Sequence, residues 1–229
     1  MMSRLQNILL KHQPTFYPVV PFAADTQQLL ALDFTAANTG LTPGLLKSTQ
    51  LLSDFIAAQL NAGNYQYGIG GYNENRVLYQ RSTHFNGDEP RSIHLGIDIW
   101  GAAGTPVFAP MGGMVHSVAF NNHFGDYGAT IILQHQLDTV AFHTLYGHVS
   151  LGDIAALSEG MYVNRGQQIA QFGTPEENGD WPPHLHFQII EDMELKEGDY
   201  PGVCSQSERE KYLLNCPDAD LILQLMQHT

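Results

Sequence analysis

The chain has 229 residues, of which 43% are hydrophobic, enough for one sizeable domain or for a domain with an extension. Its formal net charge of −13 disfavours nucleic acids and anionic membrane surfaces as partners. No apolar run approaches the roughly 20 residues of a membrane-spanning helix, and the first residues lack the apolar core of a signal peptide. We therefore expect a cytoplasmic location, with neither a nucleic-acid nor a membrane partner.

The first third of the chain is predicted to be mostly helical. A short helix is expected within residues 1–13, followed by an extended proline-containing stretch and a helical turn over 25–32. The clearest helix spans 43–61, because Thr42 can cap its start and Gly63 can end it. This part of the chain is expected to pack against a catalytic unit that lies further on.

A glycine-rich stretch over residues 68–76 has two interpretations. Such a loop can bind phosphate when it opens a helix after a strand. Here the apolar run directly after it is predicted to be a strand, so a simple turn is favoured. Glu74 and Arg76 are candidates for lining a substrate pocket, and Tyr79 and His84 are candidates for approaching the motif that follows.

From residue 93 to residue 188 the pattern is all-β, with short strands separated by glycine-containing turns. The predicted strands are 107–109, 114–120, 130–135, 140–146 and 168–172. Strands at this spacing predict a single antiparallel β barrel or sandwich. We divide the chain into a helical N-terminal extension (1–66), a β domain (67–203) and a C-terminal helical tail (204–229).

Two histidine motifs in this β region are candidates for a metal site. His184 and His186 lie two apart, so in a strand they point to the same side. His94 and Asp98 lie four apart, about 13 Å in a straight strand, whereas metal bonds to N and O measure about 2.0–2.2 Å. The segment must therefore bend, and Gly96 is where it can. A set of two imidazoles and one carboxylate leaves a fourth position open, as in catalytic zinc sites.

The order of these motifs, with the segments between them, resembles the lysostaphin-type (LytM-like) zinc metallopeptidases over roughly residues 90–190. The segments that carry the resemblance are His94-Leu-Gly-Ile-Asp98 with its continuation to Pro110, Leu145-Tyr-Gly-His148, the stretch 160–173 and Pro183-His-Leu-His-Phe187. The resemblance implies a duplicated-hybrid-motif-like β fold with His94, Asp98 and His186 as Zn²⁺ ligands. It also implies that His148 and His184 flank the reacting groups.

The chemistry implied is the hydrolysis of a peptide amide bond. No His-Glu-x-x-His helix is present to supply a glutamate base, so His148 and His184 are the candidates for acid and base catalysis. The resemblance implies a substrate of the peptidoglycan cross-link type, as for DD-metalloendopeptidases. A cytoplasmic small peptide or amide is the other substrate class considered.

Two functions from other classes are weighed against the hydrolase. A biotinyl- or lipoyl-type carrier needs a lysine at a hairpin tip, and none of the four lysines occupies one. A non-catalytic metal-binding or regulatory module on the same fold is disfavoured because all five site residues are present. Cys204 and Cys216 are predicted to be free thiols, with no role in the metal site.

Overall fold

A computed structural model describes residues 2–229 of the chain. The prediction of a mainly β protein is confirmed. The strands are β1 (Leu29–Leu32), β2 (Tyr67–Gly70), β3 (Arg91–His94), β4 (Ile97–Trp100), β5 (Pro106–Phe108), β6 (Gly113–Asn121), β7 (Gly128–Leu137), β8 (Val140–Val149), β9 (Tyr162–Val163), β10 (Gln168–Gln171), β11 (His184–Ile190) and β12 (Val203–Ser205).

Eight strands form one mixed sheet in the order β1-β2-β4-β11-β8-β7-β6-β9. Only β1 and β2 pair in parallel, and every other neighbouring pair in this sheet is antiparallel. Two small antiparallel sheets, β10-β5 and β12-β3, complete the strand pairing among the described residues. The end strands β1 and β9 pair with no further strand in this order, so the predicted closed barrel or sandwich is not confirmed.

The helices are α1 (Arg4–His12), α2 (Pro43–Leu46), α3 (Thr49–Ala62), α4 (Leu151–Ile154), α5 (Arg209–Asn215) and α6 (Asp220–Leu223). Single 3₁₀ turns cover Gln13–Thr15, Val77–Arg81, Thr83–Phe85 and Met226–His228. Within residues 2–229, every helix is too short or too polar to cross a membrane.

Three local predictions for the first third are wrong. The turn expected over 25–32 is in part strand β1, because Leu29–Leu32 pairs with β2. The single helix expected over 43–61 is two helices, since Ser48 is extended and its hydroxyl accepts a hydrogen bond from the Leu51 amide at the start of α3. The strand expected after the glycine-rich loop is the 3₁₀ turn Val77–Arg81.

The central strands separate an apolar face from a polar face. On β11, Leu185 and Phe187 are fully buried in the main hydrophobic core, whereas His184 and His186 point to the opposite side. The core on the apolar side is closed by α1, α6 and the β5-β10 pair, which contribute residues such as Leu5. The histidine pair is therefore held on a strand that is buried on both faces.

Candidate metal centre and active site

Cross-strand pairing places the first candidate ligands side by side. His186 on β11 lies directly opposite Asp98 on the neighbouring strand β4, and His184 lies opposite Trp100. Directly opposed residues of an antiparallel pair have Cβ atoms about 4.5–5.5 Å apart. The register of one strand pair thus brings together two residues that are far apart in sequence.

The third ligand candidate, His94, reaches the same point through a bend. Strand β3 ends at His94 and β4 begins at Ile97, so the break falls at the predicted position. A Cβ on Gly96 would lie 2.6 Å from the Phe187 carbonyl oxygen and 2.7 Å from the His186 ring. The bend therefore requires glycine because the neighbouring strand passes too close for a side chain.

We expect Gly96→Ala to weaken metal binding and to lower the free energy of unfolding by about 1–3 kcal/mol, the usual cost of overpacking. The added methyl group must displace either a backbone carbonyl or the His186 imidazole. Metal titration and thermal unfolding of the variant measure the two effects. Gly71→Ala is the control, because a Cβ there meets no atom within 4 Å, and wild-type behaviour of Gly96→Ala would contradict the steric argument.

The three candidate ligand atoms converge within hydrogen-bond distance of one another. His94 Nε2 lies 2.9 Å from His186 Nδ1, and Asp98 Oδ1 lies 3.2 Å and 3.1 Å from these two atoms. All three side chains are buried. Bonds of about 2.0–2.1 Å at tetrahedral angles set ligand atoms roughly 3.3–3.4 Å apart, so small adjustments would let one zinc ion contact all three.

The outer hydrogen bonds of the imidazoles direct their lone pairs inward. His94 Nδ1 lies 2.9 Å from the Gly71 carbonyl oxygen, which can only accept, so the ring proton lies on Nδ1. His186 Nε2 lies 2.8 Å from Gln188 Oε1. The Gln188 amide nitrogen donates to the Pro201 carbonyl, which orients its oxygen toward His186. Three lone-pair-bearing atoms therefore face one point, an arrangement that a cation stabilises.

We expect Gln188→Leu to lower zinc affinity by about 10–100-fold, as is typical when an outer partner of a histidine ligand is lost. The leucine keeps the volume but cannot accept the His186 Nε2 proton, so the tautomer with Nδ1 free is no longer fixed. Competition with a chromophoric chelator measures the affinity. Gln188→Glu retains the acceptor and should therefore lose less affinity than Gln188→Leu, although it can no longer donate to the Pro201 carbonyl. Wild-type affinity in the leucine variant would exclude the proposed role.

Burial and charge keep His94 neutral and the Asp98 carboxylate ionised. Burial and the nearby Arg76 guanidinium lower the pKa of His94 to about 4, although Asp98 acts in the opposite direction. Burial alone would raise the pKa of Asp98, but His94 and Arg76 hold it well below its usual value. A neutral imidazole and an ionised carboxylate are the forms that bind metal.

His148 and His184 lie beside this group, with ring centroids 4.1 Å apart. The His148 ring is 6.4 Å from that of His186. His148 Nδ1 contacts the Asn178 carbonyl oxygen at 2.8 Å, and His184 Nδ1 contacts the Pro182 carbonyl oxygen at 2.8 Å. Each Nδ1 therefore carries the proton, which leaves each Nε2 free to accept a hydrogen bond.

The backbone and a stacked indole fix these two rings. His148 has a φ of 65°, a left-handed conformation that is uncommon for a residue with a side chain. Its amide donates to the Tyr127 carbonyl oxygen at 2.9 Å and its carbonyl accepts from the Gly173 amide at 2.9 Å. The His184 ring stacks on Trp100, with centroids 3.9 Å apart.

Burial lowers the pKa of both histidines. Burial and the neighbouring His184 hold the pKa of His148 well below its usual value. Burial lowers the pKa of His184 to about 4, against an opposing effect of Asp98. Both imidazoles are therefore neutral at pH 7 and able to accept a proton from a bound nucleophile.

A cleft opens over this arrangement. It is lined by residues that include Tyr79, His84, Asp98, His148, His184 and His186. Tyr79 and His84 thus reach the site, which the sequence could only suggest. Glu74 and Arg76 do not line the cleft as predicted, because Arg76 is 2% exposed and lies behind Asp98.

Several residues of the site were not found from the sequence. Tyr127 lines the cleft, with its ring 5.5 Å from His148 and 5.1 Å from His186. Tyr127 sits after a glycine turn and carries no motif that would single it out. Gln188 could have been found, because it lies two residues after His186 on the same face of β11.

Comparisons with known proteins find sequence similarity to peptidases over part of the chain. Residues 92–197 match the sequence profile described as Peptidase family M23. An "Uncharacterized metalloprotease" of Haemophilus influenzae is 30% identical over 141 residues, which are 57% of this chain and 27% of that protein. The "Uncharacterized lipoprotein YgeR" of Escherichia coli is 35% identical over 114 residues, which are 50% of this chain and 39% of that protein.

Among solved structures, the catalytic domain of the antimicrobial peptidase lysostaphin from Staphylococcus simulans is 25% identical to this chain. The alignment covers 68% of this chain and 97% of that domain, with a TM-score of 0.41. The chain spans only 27% and 39% of the lengths of the two curated relatives named above.

Proposed function

We propose that the chain is a zinc-dependent metallopeptidase that hydrolyses a peptide amide bond, since residues 92–197 match the sequence profile described as Peptidase family M23. One observation carries the proposal. The His94, Asp98 and His186 ligand atoms meet within 3.2 Å of one another, beside the neutral rings of His148 and His184. A structural zinc site would not require two further imidazoles with free nitrogens at its open side.

Zinc bound by His94, Asp98 and His186 would supply Lewis acidity toward water and toward the substrate carbonyl. Acid and base catalysis would come from histidine side chains of the protein. His148 and His184 each present a free Nε2, so one can accept a proton from the attacking water. That proton then reaches the leaving amine either from the same ring or, after transfer, from the other ring, which stabilises developing charge while it is protonated. Their Nδ1 protons, fixed on backbone carbonyls, keep both rings in the required tautomer.

The proposed substrate class is a peptide, with peptidoglycan cross-link peptides as the first candidate and a cytoplasmic small peptide or amide as the second. The site geometry supports peptide hydrolysis, and the family resemblance supports the first candidate. The cleft is lined by aromatic groups, including Tyr79, Trp100, Tyr127 and Trp181, which suits an extended chain with apolar and amide surfaces.

The experiment is a substrate screen with the zinc-loaded full chain. Purified sacculi, defined cross-linked peptides and small cytoplasmic amides are incubated in parallel, and new amines and carboxylates are detected by mass spectrometry. We expect cleavage of an amide in one class, loss of cleavage on chelation and recovery on adding zinc. Stoichiometric zinc without turnover on any class would instead favour the non-catalytic metal-binding module.

A further inference from the structure

Arg76 is a buried cation that touches the far side of a metal-ligand candidate. Its Nη1 donates to Asp98 Oδ2, while Asp98 Oδ1 faces His94 and His186. The two oxygens of one carboxylate thus have separate partners. Arg76 precedes the region matched by the family profile, which begins at residue 92, and the mechanism above makes no use of it.

The guanidinium is held from several directions. Its Nε donates to Glu74 Oε2 at 2.6 Å, and its Nη2 donates to the Gly71 carbonyl oxygen at 3.1 Å. The Phe34 ring lies 5.3 Å from its central carbon. A Cβ on Gly70 would fall 2.6 Å from Nη2, so the strand beside Asp98 makes room for this side chain only because residue 70 is glycine.

The same loop also holds the second ligand candidate. The Gly71 carbonyl oxygen accepts from both Arg76 Nη2 and His94 Nδ1. The backbones are joined as well, because the His94 amide donates to the Glu74 carbonyl at 3.0 Å and the Arg76 amide donates to the Ser92 carbonyl at 2.9 Å. A displacement of the loop would therefore move His94 and Asp98 together.

The opposite charges of Glu74 and Arg76 limit what this ion pair can contribute to the metal site. A lone guanidinium next to a ligand would repel a bound cation. Glu74 carries the opposite charge and is only 14% exposed at its side chain, so the Glu74–Arg76 pair adds little net charge beside the site. The pair can therefore act mainly by orienting Asp98, because a planar guanidinium fixes the plane of the carboxylate that accepts its hydrogen bonds.

We propose that Arg76, held in place by Glu74, is a positioning residue that occupies Asp98 Oδ2, so that Oδ1 alone is presented to the metal. This inference rests on the proposed function, in that it assumes a metal held by His94, Asp98 and His186. When Asp98 binds through one oxygen only, the coordination number of the metal stays low and the open side of the ion remains free. The glycine-rich loop upstream of the family domain thereby becomes part of the metal site.

The test uses the full chain and the metals alone. Zinc affinity is measured by chelator competition for wild type, Arg76→Met, Arg76→Lys and Glu74→Gln, and Co²⁺ absorption spectra report coordination number. We expect affinity to fall about 10–100-fold in Arg76→Met, with partial recovery in Arg76→Lys. Glu74→Gln should lose less affinity, because the amide oxygen can still accept from Arg76 Nε while the guanidinium charge is no longer balanced. The visible Co²⁺ bands should weaken in Arg76→Met as the freed carboxylate binds through both oxygens.

The control separates positioning from simple loss of stability. Arg81 is also buried and bonds Thr49 and the Asp180 carbonyl, without touching a ligand candidate. Arg81→Met should lower the unfolding temperature while leaving zinc affinity unchanged. If Arg76→Met does not fold, the test uses Arg76→Lys, which keeps the positive charge but loses the planar guanidinium that meets Asp98 Oδ2. Wild-type affinity and spectra in folded variants would overturn this inference alone, whereas absence of zinc binding by the wild type would overturn the proposed function.

Discussion

Asp98→Ala is expected to abolish stoichiometric zinc binding, and with it all amide hydrolysis. Asp98 supplies the only carboxylate among the three converging ligand atoms. The loss in affinity should exceed the roughly 10–100-fold that changes to outer partners cause. His94→Ala should behave in the same way, because it removes an imidazole whose Nε2 faces the same point. Elemental analysis after gel filtration measures bound zinc.

The alanine variant also removes one of the two carboxylate partners of the buried Arg76, so a folding control is needed. Asp98→Asn provides it, since the amide oxygen can still accept from Arg76 while the amide nitrogen cannot serve as a ligand. We expect Asp98→Asn to fold and yet to bind zinc poorly. Full zinc occupancy in folded Asp98→Asn and His94→Ala would remove these residues from the metal site.

His148→Ala is expected to retain zinc but to lose turnover by about 10²–10⁴-fold, the usual contribution of a general acid or base. The His148 ring contacts none of the three ligand candidates by hydrogen bond; its Nδ1 bonds the Asn178 carbonyl instead. Its free Nε2 lies on the open side, next to His184. Zinc content and the hydrolysis rate, measured on the same preparation, separate binding from catalysis.

A second buried histidine serves as the matched control. His135 bonds the Gly112 carbonyl and the Thr144 hydroxyl and is absent from the lining of the cleft. His135→Ala should reduce stability, while the folded fraction keeps its activity. An unchanged rate in His148→Ala would exclude His148 from the mechanism, and loss of zinc in that variant would reassign it as a ligand.

The parts of the site governed by local geometry could be predicted from the sequence. Strand alternation places His184 and His186 on one face, and it does so in the structure. The argument that one ion cannot bridge His94 and Asp98 along a straight strand predicts the break at Gly96. Both inferences depend only on the distance between neighbouring residues of one segment.

The parts governed by long-range pairing could not be predicted. Leu29–Leu32 becomes a strand because it pairs with β2, nearly forty residues later in the chain. The local sequence pattern gives no information about that partner. Arg76 was a candidate for lining the cleft, yet its ion pairs with Glu74 and Asp98 and the space beside Gly70 let it lie behind Asp98. Charge alone does not reveal whether a side chain has a buried partner.

The most direct test of the account is a crystal structure of the zinc-loaded chain, with diffraction recorded on both sides of the zinc absorption edge. The account predicts a single anomalous peak within about 2.0–2.2 Å of His94 Nε2, Asp98 Oδ1 and His186 Nδ1, with His148 and His184 at its open side. A peak bound by other residues, or a zinc-saturated crystal with no peak between these three atoms, would contradict it.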